Sequence, residues 1–317
     1  MTNNLLEERG GCGAVTLGDF LESDIEMDRE LLGPMLSEKS IGLIAGPRGC
    51  GKSWLAMMFS YAIAAGKPVF PWGTGGVSPV VYLDGEMRAA GLQERFRLLH
   101  ARNADENTTG VKRNLLIISR DHAGESIGFI DTEEGQQRID ALIPRSTKLI
   151  VVDNVSAWKS SGREDGIAWA PIKNWAINKR LNGIAVLLIH HTGKGGQQRG
   201  SSMHEDLLDY SILLKPLRSQ DDQIGAQFGI EHTKLRDHIP ALRQEHEATL
   251  WMADDRLNFI IAPVGPDMHP RAEAMLKLRA EGLSMAEIGR ELGIDKSTVS
   301  RTLKKLQEST SQKTTGE

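Results

Sequence analysis

Three short runs in this 317-residue chain have the residue types and spacing of phosphate chemistry. Gly46-Pro47-Arg48-Gly49-Cys50-Gly51-Lys52-Ser53 fits G-x-x-x-x-G-K-[ST], with an apolar run before it and a helical pattern after it. Glycines let backbone N–H groups turn inward around phosphate oxygens, and a helix N-terminus adds partial positive charge. In that setting Lys52 reaches the β- and γ-phosphates and the Ser53 hydroxyl binds Mg²⁺. Cys50 reads as a small side chain that the loop tolerates. A second run, Lys148-Leu-Ile-Val-Val-Asp153-Asn154, ends four apolar residues in a carboxylate. At the C-terminal end of a buried strand, where the phosphate loop also opens, Asp153 is placed to hold the magnesium shell. Asn154 follows it, so a general base must come from elsewhere. Val80-Val-Tyr-Leu-Asp84-Gly85-Glu86 supplies one. Glu86 is the candidate to orient and deprotonate an attacking water, while Asp84 is expected to satisfy local backbone donors.

Those residues need elements to position them. Ile41–Ala45, Pro79–Leu83, Leu115–Ser119, Leu149–Asp153 and Ala185–Ile189 are short, nearly unbroken apolar runs, as in buried parallel strands. Helical patterns lie between them at Lys52–Ala65, Met87–Arg102, Thr132–Leu142 and Ala170–Leu181, with Pro171 placed in the first turn of the last. This alternation predicts an α/β fold, a mostly parallel sheet covered on both faces. After His191 the pattern turns to strand-like runs, Tyr210–Leu214, Ala226–Lys234 and Thr249–Ile261. Ala253-Asp-Asp-Arg256 reads as a hairpin turn, which predicts antiparallel strands at one edge.

A phosphate loop, an acid on the neighbouring strand (Tyr-Leu-x-x-Glu) and a lone strand-end Asp resemble the RecA-fold ATPases. Ile189-His190-His191-Thr-Gly-Lys194, then Arg199-Gly-Ser-Ser202 and Asp209, narrow the likeness. Over roughly residues 30–262 the chain resembles the hexameric replicative helicases of the plasmid RepA type, distant relatives of the DnaB helicases. The resemblance implies ATP and Mg²⁺, a homo-oligomeric, hexameric ring, and a strand-end histidine that senses the γ-phosphate, a role that fits His191 or His190. Adjacent histidines face opposite sides of a strand, and His190 reads as the partly buried, satisfied one. In this family a Lys-x-Arg pair on a late strand reaches the γ-phosphate held by the adjacent subunit, which would assign Lys234 and Arg236, the latter as finger. The corresponding loops grip single-stranded DNA: here Val155–Gly166, with Trp158, Lys159 and Arg163, and Thr192–Ser202, with Lys194 and Arg199. Gly-rich basic loops suit phosphate tracking without base readout.

The C-terminal part reads differently. Residues 270–306 carry a net charge of +3 and leave −7 on the remainder of a chain whose total is −4. A Pro/Gly-rich stretch precedes the shift. The divisions expected are an N-terminal segment 1–30, a RecA-like core 31–262, a linker 263–270, a small all-α helix-turn-helix 271–306, and a disordered tail 307–317. Ser284 and Glu287 form a capping box for the second helix, Gly293 ends it, and Asp295 caps the third. Val299, Leu303 and Leu306 make its inward stripe, which turns Lys296, Ser297, Ser300, Arg301, Lys304 and Lys305 outward to read duplex DNA. No overall basic field recruits nucleic acid at this net charge, so DNA contacts must be local. Two cysteines cannot build a disulfide framework. No apolar run is long enough to span a bilayer and the N-terminus lacks a signal core; the expectation is a cytoplasmic protein without a membrane partner. The functional expectation is an ATP-dependent DNA helicase or translocase of a plasmid or mobile element. A DNA-binding loading or regulatory ATPase is the alternative, and a small-molecule kinase is disfavoured.

Overall fold

The computed structural model describes residues 14–103, 110–160, 166–192, 206–217, 224–253, 256–264, 274–275, 277–279, 282–300 and 302–303. Lys194, Arg199, Arg301, Lys304 and the expected tail lie outside them. The chain opens with α1 (Leu17–Glu22) and a small hairpin, β1 (Glu30–Leu32) and β2 (Leu36–Ser37). Alternating elements follow: β3 (Ile41–Gly46), α2 (Lys52–Ala65), β4 (Val80–Asp84), α3 (Ala89–Asn103), α4 (Val111–Asn114), β5 (Leu115–Ser119) and α5 (Arg120–Ala123). Then come α6 (Glu133–Leu142), β6 (Leu149–Asp153), α7 (Gly166–Leu181) and β7 (Ala185–His191). Strands β8 (Tyr210–Pro216), β9 (Ile224–Leu235), β10 (His246–Ala253) and β11 (Arg256–Pro263) complete the core, and α8 (Met285–Leu292) lies beyond it.

Among the described residues, nine strands form one sheet in the order β11-β10-β9-β8-β3-β7-β6-β4-β5. Neighbours from β8 to β5 run parallel, and β8 to β11 are antiparallel. This is a RecA-like α/β core. The order matters for the site: β7 lies between β3 and β6, so the phosphate-loop strand and the Asp153 strand do not touch. Strands β3, β4 and β6 are buried along their whole length, which is why their sequences are unbroken apolar runs rather than alternating ones.

Helix α2 explains the longest apolar stretch of the chain. Twelve of its 14 residues are buried, and a helix apolar on every side must be enclosed. One face lies on the parallel strands. The antiparallel end of the sheet covers another, as Phe228, Ile230, Leu250, Leu257 and Ile261 join α2 in one core with Leu92 and Leu99 of α3. The curl carries β11 as far as α3, where the Arg102 guanidinium lies 3.8 Å from the Phe259 ring centroid. On the opposite face Ile139 of α6 and Ile172, Trp175 and Ala176 of α7 close a second core.

Local departures from the expected elements have local causes. Helix α3 begins at Ala89, not Met87, because residues 85–87 form a bend. Helix α7 starts at Gly166, so Pro171 lies inside it rather than in its first turn.

The C-terminal unit has the expected capping box: Ser284 Oγ accepts from Glu287 N, and the Glu287 carboxylate accepts from Ser284 N at 2.8 Å. Gly293 closes α8 at φ 60°, a conformation that favours glycine. Asp295 accepts from Ser297 N at 2.6 Å. Met275, Ile288, Leu292, Ile294, Val299 and Leu303 form the small core, and Trp251 of β10 is part of it. The Trp251 indole donates to the Leu292 carbonyl at 2.7 Å. The unit is therefore seated on the β10–β11 hairpin. A few short helices bury too little to stand alone easily, and the sheet supplies the missing tryptophan.

Candidate nucleotide-binding site

The phosphate loop leaves β3 at Gly46 and enters α2 at Lys52. Gly49 and Gly51 have φ of 75° and 101°. A Cβ on Gly51 would also stand 2.3 Å from the Phe228 ring, so glycine is required there twice over. Gly51 caps α2 without a side-chain hydrogen bond, which leaves the first-turn N–H groups to an anion. Lys52 is buried, and its Nζ donates to the carbonyls of Gly46 at 2.9 Å and Pro47 at 2.7 Å. Burial draws its pKa below the ordinary value, opposed by Cys50, Asp153 and Glu86. The Cys50 thiol is itself buried and its pKa raised by that burial, which makes it an inert filler.

Asp153 ends β6, and its carboxylate accepts from the Tyr82 hydroxyl at 2.5 Å and from the Ser53 hydroxyl. Burial pushes its pKa up, while the hydrogen bonds from Tyr82 and Ser53 and the Lys52 charge oppose the rise. Ser53 and Asp153 thus bring two hard oxygen donors together, the type of ligand Mg²⁺ takes. Glu86 stands just past β4. Its carboxylate accepts from the Asn154 amide and lies 3.3 Å from His191 Nε2. The Asn154 amide also meets His191 Nε2 at 3.0 Å, and Asn154 Oδ1 accepts from Ala157 N at 3.1 Å. Burial, then the Lys52 charge, lower the His191 pKa, with Glu86 opposing. Its imidazole is therefore neutral at neutral pH. Lys52, Ser53, Glu86, Asp153 and His191 all gather at one end of the sheet. His190 points the other way, buried with its ring 5.5 Å from that of Trp169.

Two contacts leave no mark in the sequence. Tyr82 is read there only as the start of Tyr-Leu-x-x-Glu; its contact with Asp153 depends on the β4–β6 register, which pairs Asp84 with Asp153. Asn154 reads there as the absence of an acid, yet it joins Glu86 to His191. Asp84 accepts from Met87 N at 2.9 Å, while its second oxygen is buried with no hydrogen-bond partner. Burial lifts its pKa to about 7.

Lys234 and Arg236 are elsewhere. Lys234 pairs with Ser211 on β8, and Arg236 follows β9 in a bend. Arg236 N donates to the Asp209 carbonyl at 2.8 Å, and Asp209 N donates to the Ile41 carbonyl at 2.8 Å. Ile41 begins β3, whereas Gly46 ends it. Arg236 is therefore one strand length, roughly 17 Å at about 3.3 Å per residue, from its own phosphate loop. A cavity of about 370 Å³ opens at this far pole, lined among others by Asp28, Lys39, Arg180, Asp209, Tyr210 and Arg236.

The expected DNA loops divide. Trp158 is 0% exposed and Lys159 only 6%; Ser160 N is pinned to the Asp131 carboxylate at 2.8 Å. Trp158 is a core residue on the α6–α7 side of the sheet, which excludes it as a base-stacking platform. In the C-terminal unit Lys296 and Ser297 are exposed and Ser300 is half-buried. No described helix is long and apolar enough to cross a membrane.

Three of the matches to known proteins bear on these two parts of the chain. The profile of the AAA domain family matches residues 8–197. That of the MarR family matches residues 278–309, over the helix-turn-helix. Among solved structures, a KaiC-like protein from the hyperthermophilic archaeon Pyrococcus horikoshii OT3 aligns with 75% of this chain and 99% of its own, at 15% identity and a TM-score of 0.47.

Proposed function

Because this chain belongs to the AAA domain family, we propose that it is an ATP-hydrolysing motor that assembles head to tail on DNA and acts as a helicase of the plasmid RepA type. The observation that carries this reading is the separation of two charge sets. Lys52, Glu86, Asp153 and His191 form one pole of the sheet, and Arg236 stands at the other. An arginine one strand length from its own loop has a use in phosphoryl chemistry if a neighbour's nucleotide meets it. Contacts between unlike poles repeat, and close into a ring when the rotation allows; a hexamer is the closure proposed.

Within one site the phosphate loop and the N-terminus of α2 hold the phosphates. Ser53 and Asp153 would hold Mg²⁺, which when bound neutralises charge on the β- and γ-oxygens. Glu86 accepts the proton of the attacking water. Asn154 keeps that carboxylate beside His191, whose neutral ring is placed to register the γ-phosphate. The helix-turn-helix resembles MarR-family sequence and would present Lys296, Ser297, Ser300, Arg301 and Lys304 to duplex DNA, while Lys194 and Arg199 would contact the single strand in the channel.

A mixture of Lys52→Ala and Arg236→Ala tests the shared site. One variant keeps an intact pocket and the other an intact arginine, so mixed assemblies should recover hydrolysis that neither has alone. A mixture that stays inactive once mixed assembly is demonstrated removes the intersubunit reading. Strand displacement on a forked duplex tests the helicase step. The second reading, a DNA-bound ATPase that separates no strands, is favoured by the seating of the helix-turn-helix on β10–β11, which fixes a duplex-binding unit to the motor. Hydrolysis stimulated by DNA without displacement would select it.

A further inference from the structure

We propose that Asp209 is a positioning residue that aims Arg236 at the adjacent subunit's nucleotide; the proposal rests on the trans-acting reading of Arg236. An arginine side chain carries about 2 kcal/mol of rotamer entropy, and a group that stabilises developing charge works best when its orientation is set beforehand. Arg236 lies beyond the end of β9 with 56% of its side chain exposed, where neither strand pairing nor packing would fix it. Asp209 fixes it twice. Its carbonyl accepts from Arg236 N at 2.8 Å, and its Oδ1 pairs with Arg236 Nη1 at 3.1 Å.

Asp209 is itself held from the other side. Its side chain is only 16% exposed. Its Oδ2 accepts from Ile41 N at 2.7 Å and from the Arg180 guanidinium, and Arg180 Nε donates to the Lys39 carbonyl at 2.7 Å. One carboxylate therefore stands between two guanidinium groups, and the trio keeps one positive charge. The Arg236 charge is close enough to Arg180 to depress its pKa, second only to burial. The contact with Asp209 is made through Nη1 and 56% of the Arg236 side chain stays exposed, so donors of the five-donor fork remain for an incoming phosphate. Asp209 orients the finger without cancelling it. The Ile41 contacts add a consequence: the strand that ends in this subunit's phosphate loop begins at the group that steadies its arginine.

The test uses the full-length chain and steady-state phosphate release. Asp209→Asn should lower kcat by about 10- to 100-fold, the scale of a misplaced group, with KM for ATP little changed. A purely structural role is separated by complementation. If Asp209 serves the arginine, Asp209→Asn mixed with Lys52→Ala should recover hydrolysis, because the Asp209→Asn pocket is sound and the Lys52→Ala arginine is intact. Asp209→Asn mixed with Arg236→Ala should not recover, because both lack an aimed arginine. Recovery in the second mixture, or an unchanged kcat, overturns the assignment. Asp209→Glu keeps the counter-ion for both arginines but extends it by one methylene. It should fall in the same complementation group, and it carries the test if Asp209→Asn does not fold. Failure of the reference mixture of Lys52→Ala with Arg236→Ala identifies the intersubunit reading as the fault, and Asp209 falls with it.

Discussion

Asn154 shows how one side chain can connect roles that lie far apart in the chain. Its amide touches both Glu86, from the turn after β4, and His191, from the end of β7. Glu86 is therefore held by a neutral donor rather than neutralised by a cation, which suits a carboxylate that must take up a proton. Glu86→Gln should retain nucleotide binding while hydrolysis falls by about 10²-fold or more; equilibrium binding and phosphate release on the same preparation check both halves. Asp84, two residues earlier, makes a pH-dependent contribution to stability. Burial keeps it protonated to about pH 7 in the folded chain, against an ordinary value of 3.8. Between those values the folded state binds the extra proton, so this contribution is present at low pH and is lost as pH rises through about 7. Asp84→Asn removes the dependence. Its melting temperature relative to the parent chain should be higher at pH 8 than at pH 5, and an equal difference at both pH values would sink the account. Residue types at strand ends are readable because each acid follows an unbroken apolar run. The Tyr82 and Asn154 contacts are not, since both arise from strands brought together by register.

At the scale of elements, α2 is legible to its last residue: the phosphate loop fixes its start, and Gly66 at φ 67° fixes its end. The parallel strands and the β10–β11 hairpin are legible for the same reason, a hydrophobic period with turn residues at its limits. Docking of one element on another leaves no such trace. Trp158 sits amid Ser156, Lys159 and Ser160, so its stretch reads as a solvated loop. The chain instead turns there, and the Trp158 carbonyl accepts from Ile130 N at 2.9 Å. Trp251 looks in the sequence like one more outward or inward position of an edge strand, and the other buried members of its core follow it by 24 residues or more. This contact can be cut in two steps. Trp251→Ala should cost about 3–5 kcal/mol at the seam, as large-to-small core changes do, and expose the segment after residue 264 to protease. Trp251→Phe keeps an aromatic ring and removes the indole bond to the buried Leu292 carbonyl, for about 1–3 kcal/mol. Identical proteolysis of all three chains would mean that the seam does not hold the C-terminal unit.

For the whole molecule, charge is divided among parts that face different partners. The body is acidic, and the helix-turn-helix is basic, so duplex affinity should depend on that unit and on salt. Lys296→Ala and Arg301→Ala should each weaken duplex binding across sequences and reduce the salt slope by about one unit for every phosphate left without its cation, leaving ATP hydrolysis without DNA unchanged. Titrations of a labelled duplex at several salt concentrations check this, and an unaltered slope would make the unit a protein-docking module.

The strand order also governs how the chain can acquire this shape. Strand β3 carries the phosphate loop and lies mid-sheet, yet both its partners, β7 and β8, begin at residues 185 and 210. At about 5–20 residues per second, a ribosome needs on the order of 10–30 s after β3 emerges to finish β8. Until β7 is complete an apolar strand has neither edge paired, and until β8 is complete one edge stays open, a state prone to capture by other unpaired strands. Contacts so distant in sequence also slow the search itself. Nascent β3 therefore calls for shelter until β8 has been made, and a chain truncated between residues 192 and 209 should accumulate as aggregate rather than as a smaller ATPase.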